Sequence, residues 1–232
     1  MSDAAPTGEQ DASRWLQPTE FLDFEQPAVR AFAESTVGDA ASDVERAVRL
    51  FYAVRDGWWY DPYMSDRDRT SFRASAIVSH ERSWCVPKSV LLAASARSVG
   101  VPARLGFADV RNHLQSVKLS ERMRTDLFIF HGYTEFLLGG IWLKASAAFN
   151  LKLCERFETK PLEFDGTGDA LLHEFDQSGN RHMEYVNQRG SFDDLPYDEL
   201  MAAFDEFYGS DSFRGNADGA AGGDTAFEPP AD

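Results

Sequence analysis

The most constraining feature of the sequence is a long hairpin signal in its middle. Residues 128–138 and 141–147 are rich in aromatic and aliphatic side chains, and Gly139-Gly140 stands between them. A Gly-Gly pair supplies the positive φ angles that a two-residue β-turn needs. The turn predicts a register in which Glu135 lies opposite Lys144 as a cross-strand ion pair. The fold must therefore include antiparallel strands.

Helical patterns precede and follow this hairpin. An apolar stripe with a capping Ser42 predicts a helix over residues 41–58. A second helix is predicted to begin at Cys85 and to stop at Gly100, and a closing helix is predicted near residues 198–207. Because a helical region precedes the antiparallel strands, the order predicts an α+β fold and not a doubly wound sheet.

Length and composition predict one folded domain with a disordered segment at each end. The chain has 232 residues, of which 43% are hydrophobic, and this is enough for a single packed core. Residues 1–14 and 209–232 consist mainly of small, polar and acidic side chains, which bury too little apolar surface to offset their ordering entropy. We therefore expect two disordered tails around a domain at residues 15–208.

The net charge and the cysteine content indicate which partners the protein can bind and in which cellular compartment it is found. A formal net charge of −15 repels phosphate backbones and anionic lipids, so we expect neither a nucleic acid nor a membrane partner. Cys85 and Cys154 are the two cysteines, too few for a disulfide framework, and no metal-ligand spacing is visible. No basic leader or long apolar window occurs. We predict a cytoplasmic protein without metal or organic cofactor.

Cys85 is the candidate nucleophile. It stands at the start of a predicted helix, with Pro87 in the first turn. A thiol attacks as the thiolate, and its ordinary pKa of about 8.5 leaves little of that form at neutral pH. A helix start offers partial positive charge and free N–H groups, which favour a thiolate and hold an oxyanion. The alternative is a small buried apolar residue, the role expected of Cys154.

His131 is the candidate base because it lies within the predicted hairpin, where a rigid strand would hold its ring. The same register places Tyr133 opposite Ser146, so that His131, Tyr133 and Ser146 share one face of the sheet. Four further histidines lie in polar or loop-like stretches, namely His80, His113, His173 and His182. Of these, His113 is the second candidate for a cleft residue.

These motifs, in this order, resemble the transglutaminase-like superfamily of Cys-His-Asp enzymes over roughly residues 20–190. The residues that carry the resemblance are Trp84-Cys85, Gly100-Val101-Pro102-Ala103-Arg104, His131-Gly132-Tyr133-Thr134-Glu135 and Trp142. The resemblance implies a papain-like fold in which the nucleophile helix packs on an antiparallel sheet. It also implies a hydrolase or acyltransferase acting on a protein or peptide, with Cys85 as nucleophile and His131 as general base and acid.

The sequence departs from the family's pattern at one position. The family's acidic third member usually stands four residues after the strand tryptophan, and Ser146 is found there. A hydroxyl can fix the tautomer of the imidazole, but it cannot stabilise an imidazolium as an anion does. Asn150 could serve instead, and so could an acid from another loop, such as Asp109 or Asp165.

Two functions therefore remain open. One is cysteine-dependent acyl transfer, and the other is a catalytically weak or inactive peptide-binding module in which Ser146 has replaced the acid. A purely structural role has no positive support in the sequence. Residues near the predicted site are candidates for binding the substrate: Trp84, Tyr133, His113 and Asp109.

Overall fold

The computed structural model of the protein describes residues 12–64, 66–112, 115–171, 183–209 and 224–229. The α-helices in these ranges are α1 (Pro27–Val37), α2 (Asp43–Gly57), α3 (Ala74–Ile77), α4 (Cys85–Ser98), α5 (Val117–Met123), α6 (Leu151–Arg156) and α7 (Tyr197–Tyr208). The strands are β1 (Trp59–Tyr60), β2 (Arg82–Ser83), β3 (Ala103–Asn112), β4 (Leu127–Leu138), β5 (Ile141–Ala145) and β6 (Met183–Phe192). Helices and an antiparallel sheet are thus combined as predicted.

The main sheet has four antiparallel strands in the order β5-β4-β3-β6. The β4–β5 hairpin has the predicted register, with Glu135 opposite Lys144. The predicted ion pair between these two residues is wrong. The buried Glu135 carboxylate accepts hydrogen bonds from Arg104 on β3 and Ser191 on β6, whereas Lys144 lies over the ring of Tyr133 at 5.8 Å. Glu135 pairs with Arg104 and not with Lys144 because β3, on the other side of β4, places Arg104 in register with Glu135.

Helix α4 occupies the centre of the molecule. The sequence predicts one apolar face for this helix, but every residue from Cys85 to Arg97 is buried. The reason is that α4 is covered on two sides, by β3 and β4 and by α1, α2 and α3. No helix in the described part of the chain is long and apolar enough to cross a membrane.

Two helices pack on α4 from the N-terminal part of the chain. Helix α2 lies within the predicted residues 41–58, and the Ser42 hydroxyl accepts a hydrogen bond from the Glu45 N–H at its start. Helix α1 was not predicted from the sequence. Pro27 in its first turn and the buried Val29 and Ala33, four residues apart, are the pattern that could have indicated it.

The C-terminal part of the chain returns to the body of the protein. Residues 224–229 pack against it, with Asp224 and Phe227 only 5% and 4% exposed. This differs from the disordered tail expected over residues 209–232, because one aromatic residue in that polar stretch finds a pocket between aromatic rings. Most of the two predicted tails lies outside the described residues, namely residues 1–11, 210–223 and 230–232.

Candidate active site

The start of α4 lies directly on strand β4 at Gly132. A Cβ atom on Gly132 would lie 3.0 Å from Val86 Cα and 3.3 Å from Ser89 Oγ. Glycine is therefore required here for close approach of a helix to a strand. The contact brings Cys85, the first residue of α4, to the N–H of Gly132, and His131 is the residue that precedes Gly132 on β4.

The Cys85 thiol is 7% exposed. Burial raises its pKa to about 11, and the nearby backbone N–H groups of Gly132, Val86 and Cys85 itself act in the opposite direction. The helix start thus provides the predicted N–H groups, but burial outweighs them. At neutral pH the resting sulfur is a thiol.

The His131 imidazole is equally buried, at 7% exposed, and burial lowers its pKa to about 4. Its Nε2 atom lies 3.4 Å from the Ser146 hydroxyl. Ser146 follows β5 directly, and its N–H donates to the Ala170 carbonyl at 2.8 Å, which fixes its backbone. Because Nε2 faces Ser146, Nδ1 is the ring nitrogen left for another partner. The resting pair is a neutral imidazole and a neutral thiol.

Asp109 supports the backbone beside His131. Phe130, the preceding residue, is buried and has a φ of 54°, a strained value for a bulky side chain. The Asp109 carboxylate accepts the Phe130 N–H at 3.1 Å and also accepts from Arg189 on β6. The guanidinium of Arg189 in turn lies 4.2 Å from the Phe130 ring. The Asp109 carboxylate thus holds β4 and β6 together. The sequence predicted a different role for it, either binding the substrate or replacing the missing acid.

The other candidates for the third member lie in different surroundings. The Asn150 side-chain oxygen accepts the Tyr60 N–H at 3.0 Å, which ties this amide to β1 at the start of α6. The exposed Asp165 carboxylate accepts the Thr167 N–H at 2.8 Å and forms a local turn. Ser146 is the candidate that the structure places at the imidazole.

Three predicted residues remain, namely Trp84, Tyr133 and His113. Trp84 is buried against the rings of Phe72 and Phe204. Tyr133 is buried, and its hydroxyl lies 3.2 Å from the Gln188 side-chain oxygen, to which it donates. Both side chains therefore pack within the protein. His113 lies outside the described residues, so its predicted cleft position stays a prediction.

Lys88 is a feature of the site that sequence reasoning missed. Its Nζ atom is fully buried one turn after Cys85 and donates to the carbonyls of Arg55, Trp58 and Ala148 at 2.8–2.9 Å. Burial lowers its pKa to about 7. These bonds tie the end of α2 and the segment that follows Ser146 to the nucleophile helix. A lysine within the apolar stretch after Cys85 was the available signal.

The cavity at the site is small. His131, Ser146 and Phe149 are among the residues that line a space of about 10 Å³, no more than one water molecule needs. In the described ranges, no group of three His, Cys, Asp or Glu residues is arranged to hold a metal ion.

Comparisons with known proteins identify the family of the chain. The sequence profile of the transglutaminase-like superfamily matches residues 30–147, and the chain belongs to this superfamily. The predicted family is confirmed. A search of curated proteins finds no match. Among solved structures, the fold is similar to that of a proposed cysteine protease from Cytophaga hutchinsonii, with a TM-score of 0.49 and 13% identity. The match covers 80% of this chain but 55% of the other, so the chain spans just over half of that protein's length.

Proposed function

We propose that the protein is a cysteine-dependent acyl-transfer enzyme that forms a thioester on Cys85 from an amide of a protein or peptide. The observation that carries this proposal is the contact at Gly132, which sets the start of α4 against the strand that carries His131. A nucleophile, a base and free N–H groups at a helix start are the parts that acyl transfer requires. A further hydroxyl faces the base at Ser146.

In the first half of the reaction, Cys85 Sγ attacks the carbonyl carbon of the amide, and the thiol proton moves to His131 Nδ1. The carbonyl oxygen becomes an oxyanion, which the N–H groups at the start of α4 stabilise. The C–N bond then breaks, and His131 returns its proton to the leaving amine. A thioester remains on Cys85.

In the second half, water or an amine attacks the thioester, and His131 takes the proton of the attacking group. The C–S bond breaks, and the proton returns to the sulfur of Cys85. Water is the default acceptor unless the site excludes it, so we propose hydrolysis rather than cross-linking.

Ser146 favours a second candidate function, a peptide-binding module with weak or no catalysis. A hydroxyl stabilises the developing imidazolium less than a carboxylate does. The raised pKa of Cys85 and the lowered pKa of His131 also disfavour proton transfer in the resting site. The enzyme of the first proposal is therefore a slow one.

Acylation by p-nitrophenyl acetate, followed by mass spectrometry, separates the two functions. We expect an acetyl group on Cys85 in the wild-type protein and in the matched control Cys154→Ser, whose substituted cysteine is also buried. The adduct should be absent in Cys85→Ser, and its formation should slow by about 10²-fold or more in His131→Ala. Equal rates with and without the imidazole would contradict the enzyme and favour the binding module.

A further inference from the structure

The segment of residues 224–229, here called the strap, crosses the molecule beside the candidate site. At its start, the Asp224 carboxylate accepts hydrogen bonds from the Tyr63 hydroxyl at 2.9 Å and from the Ser116 hydroxyl. Ser116 caps α5, the helix that connects strands β3 and β4. The strap is thus anchored first to the segment after β1 and to the start of α5.

The rest of the strap is anchored to strands β1 and β2 and to helix α6. The Trp59 indole N–H donates to the Phe227 carbonyl at 2.6 Å, and the Arg82 guanidinium forms an ion pair with Glu228 at 2.9 Å. Arg156 Nη1 donates to three strap carbonyls at 2.5–3.0 Å. The strap therefore bridges elements that are far apart in the sequence, and one of its anchors, Arg82, lies three residues before Cys85.

One strap side chain fills a pocket. The Phe227 ring lies 5.5–6.2 Å from the rings of Phe157, Tyr63 and Tyr60. The Tyr60 ring is 4.7 Å from Phe149, which lines the small cavity at His131 and Ser146. A chain of ring contacts thus connects the strap to the catalytic cavity.

These contacts are of the kind that binds an extended peptide. The donors to backbone carbonyls would bind a peptide of any sequence. The aromatic pocket of Phe227, with the Arg82 cation beside it, would select a peptide in which an aromatic residue is followed by an acidic one. We infer that the strap occupies the peptide-docking surface of the Cys85 site and keeps the resting site closed. The inference rests on the proposed function, since it names a peptide with this aromatic-acidic pattern as the substrate class.

Release of the strap in the full-length protein tests this inference. Arg156→Gln removes the donor to the strap carbonyls, and Phe227→Asp places a charge in the aromatic pocket. The exposed Arg30 provides the matched control Arg30→Gln. Hydrogen exchange of the strap N–H groups reports release. Iodoacetamide alkylation of Cys85, divided by its rate in the urea-unfolded chain at the same pH, reports access to the thiol.

In both strap variants we expect loss of strap protection and a rise in Cys85 alkylation of about tenfold, the factor that corresponds to the loss of one hydrogen bond to a charged group. Arg30→Gln should change neither. Added peptide Asp-Thr-Ala-Phe-Glu-Pro should slow alkylation of Phe227→Asp again, whereas a scrambled peptide should not. A released strap without faster alkylation would overturn the inference, and so would a strap that stays protected in both variants. Neither hydrogen exchange nor alkylation requires acyl transfer, so a catalytically inactive protein could still give both expected results. Failure of the strap inference would likewise leave the acylation result for the proposed function unchanged.

Discussion

The Ser146 hydroxyl lies 3.4 Å from His131 Nε2, so the position that usually holds the acid of the family faces the imidazole here too. We predict that Ser146→Asp raises the rate of Cys85 acylation by about tenfold or more, because a nearby carboxylate favours the imidazolium by about one to three pKa units. Acylation followed by mass spectrometry measures this. Ser146→Asn is the uncharged control of similar size, and equal rates in the two variants would show that charge at this position has no influence.

Gly132 should tolerate no larger side chain. In Gly132→Ala the new methyl group would meet Val86 Cα at 3.0 Å, and we expect a loss of about 1–3 kcal/mol in the free energy of unfolding together with slower acylation. Urea unfolding gives the first quantity. Gly57→Ala is the control, since no atom lies within 4 Å of a Cβ there, and it should be neutral or stabilising. A stable, active Gly132→Ala protein would contradict the close contact.

His131 should make the protein sensitive to acid. Its pKa is about 4 in the folded protein and is taken as 6.5 in the unfolded chain, so protonation favours unfolding. Stability should be full above pH 6.5 and should fall by about 3 kcal/mol as the pH decreases toward 4. Urea unfolding across this range measures the loss. His131→Gln should remove this part of the slope, and the exposed His80→Gln should keep it. Parallel slopes in wild type and His131→Gln would disprove the burial argument.

Asp109 should act on the site through the backbone of Phe130. Asp109→Ala leaves the Phe130 N–H without its acceptor, so we expect a loss of about 1–3 kcal/mol in stability and a reduced acylation rate. Asp109→Asn keeps an acceptor and should recover most of the rate, which a catalytic carboxylate would not allow. The pH dependence of acylation should keep its shape in Asp109→Asn. If Asp109→Asn is acylated as slowly as Asp109→Ala, the negative charge of Asp109, and not its hydrogen bond to Phe130, would be what the acylation rate depends on.

Local signals made much of the fold predictable. Gly139-Gly140 is sufficient to set the register of the hairpin, because a two-residue turn admits one pairing. The starts of α2 and α4 follow from Ser42 and from Pro87 in the first turn after Cys85. The register in turn placed Ser146 on the face of His131, where the structure has it.

Features that depend on a third element could not be predicted in this way. The partner of Glu135 is set by strand β3, which the hairpin pattern does not contain. The role of Asp109 depends on the strained φ of Phe130, which the sequence around it does not indicate. The packing of residues 224–229 likewise depends on rings from distant parts of the chain, among them Tyr60.

The central position of α4 has a consequence for the motions that the site allows. Because every residue of α4 from Cys85 to Arg97 is buried, this helix moves as a unit only when the core around it opens. Cys85 is therefore held by one of the most deeply buried parts of the fold. Adaptation to a ligand must therefore come from the elements around α4, and substitutions in those elements can reshape the site while Cys85 stays in place.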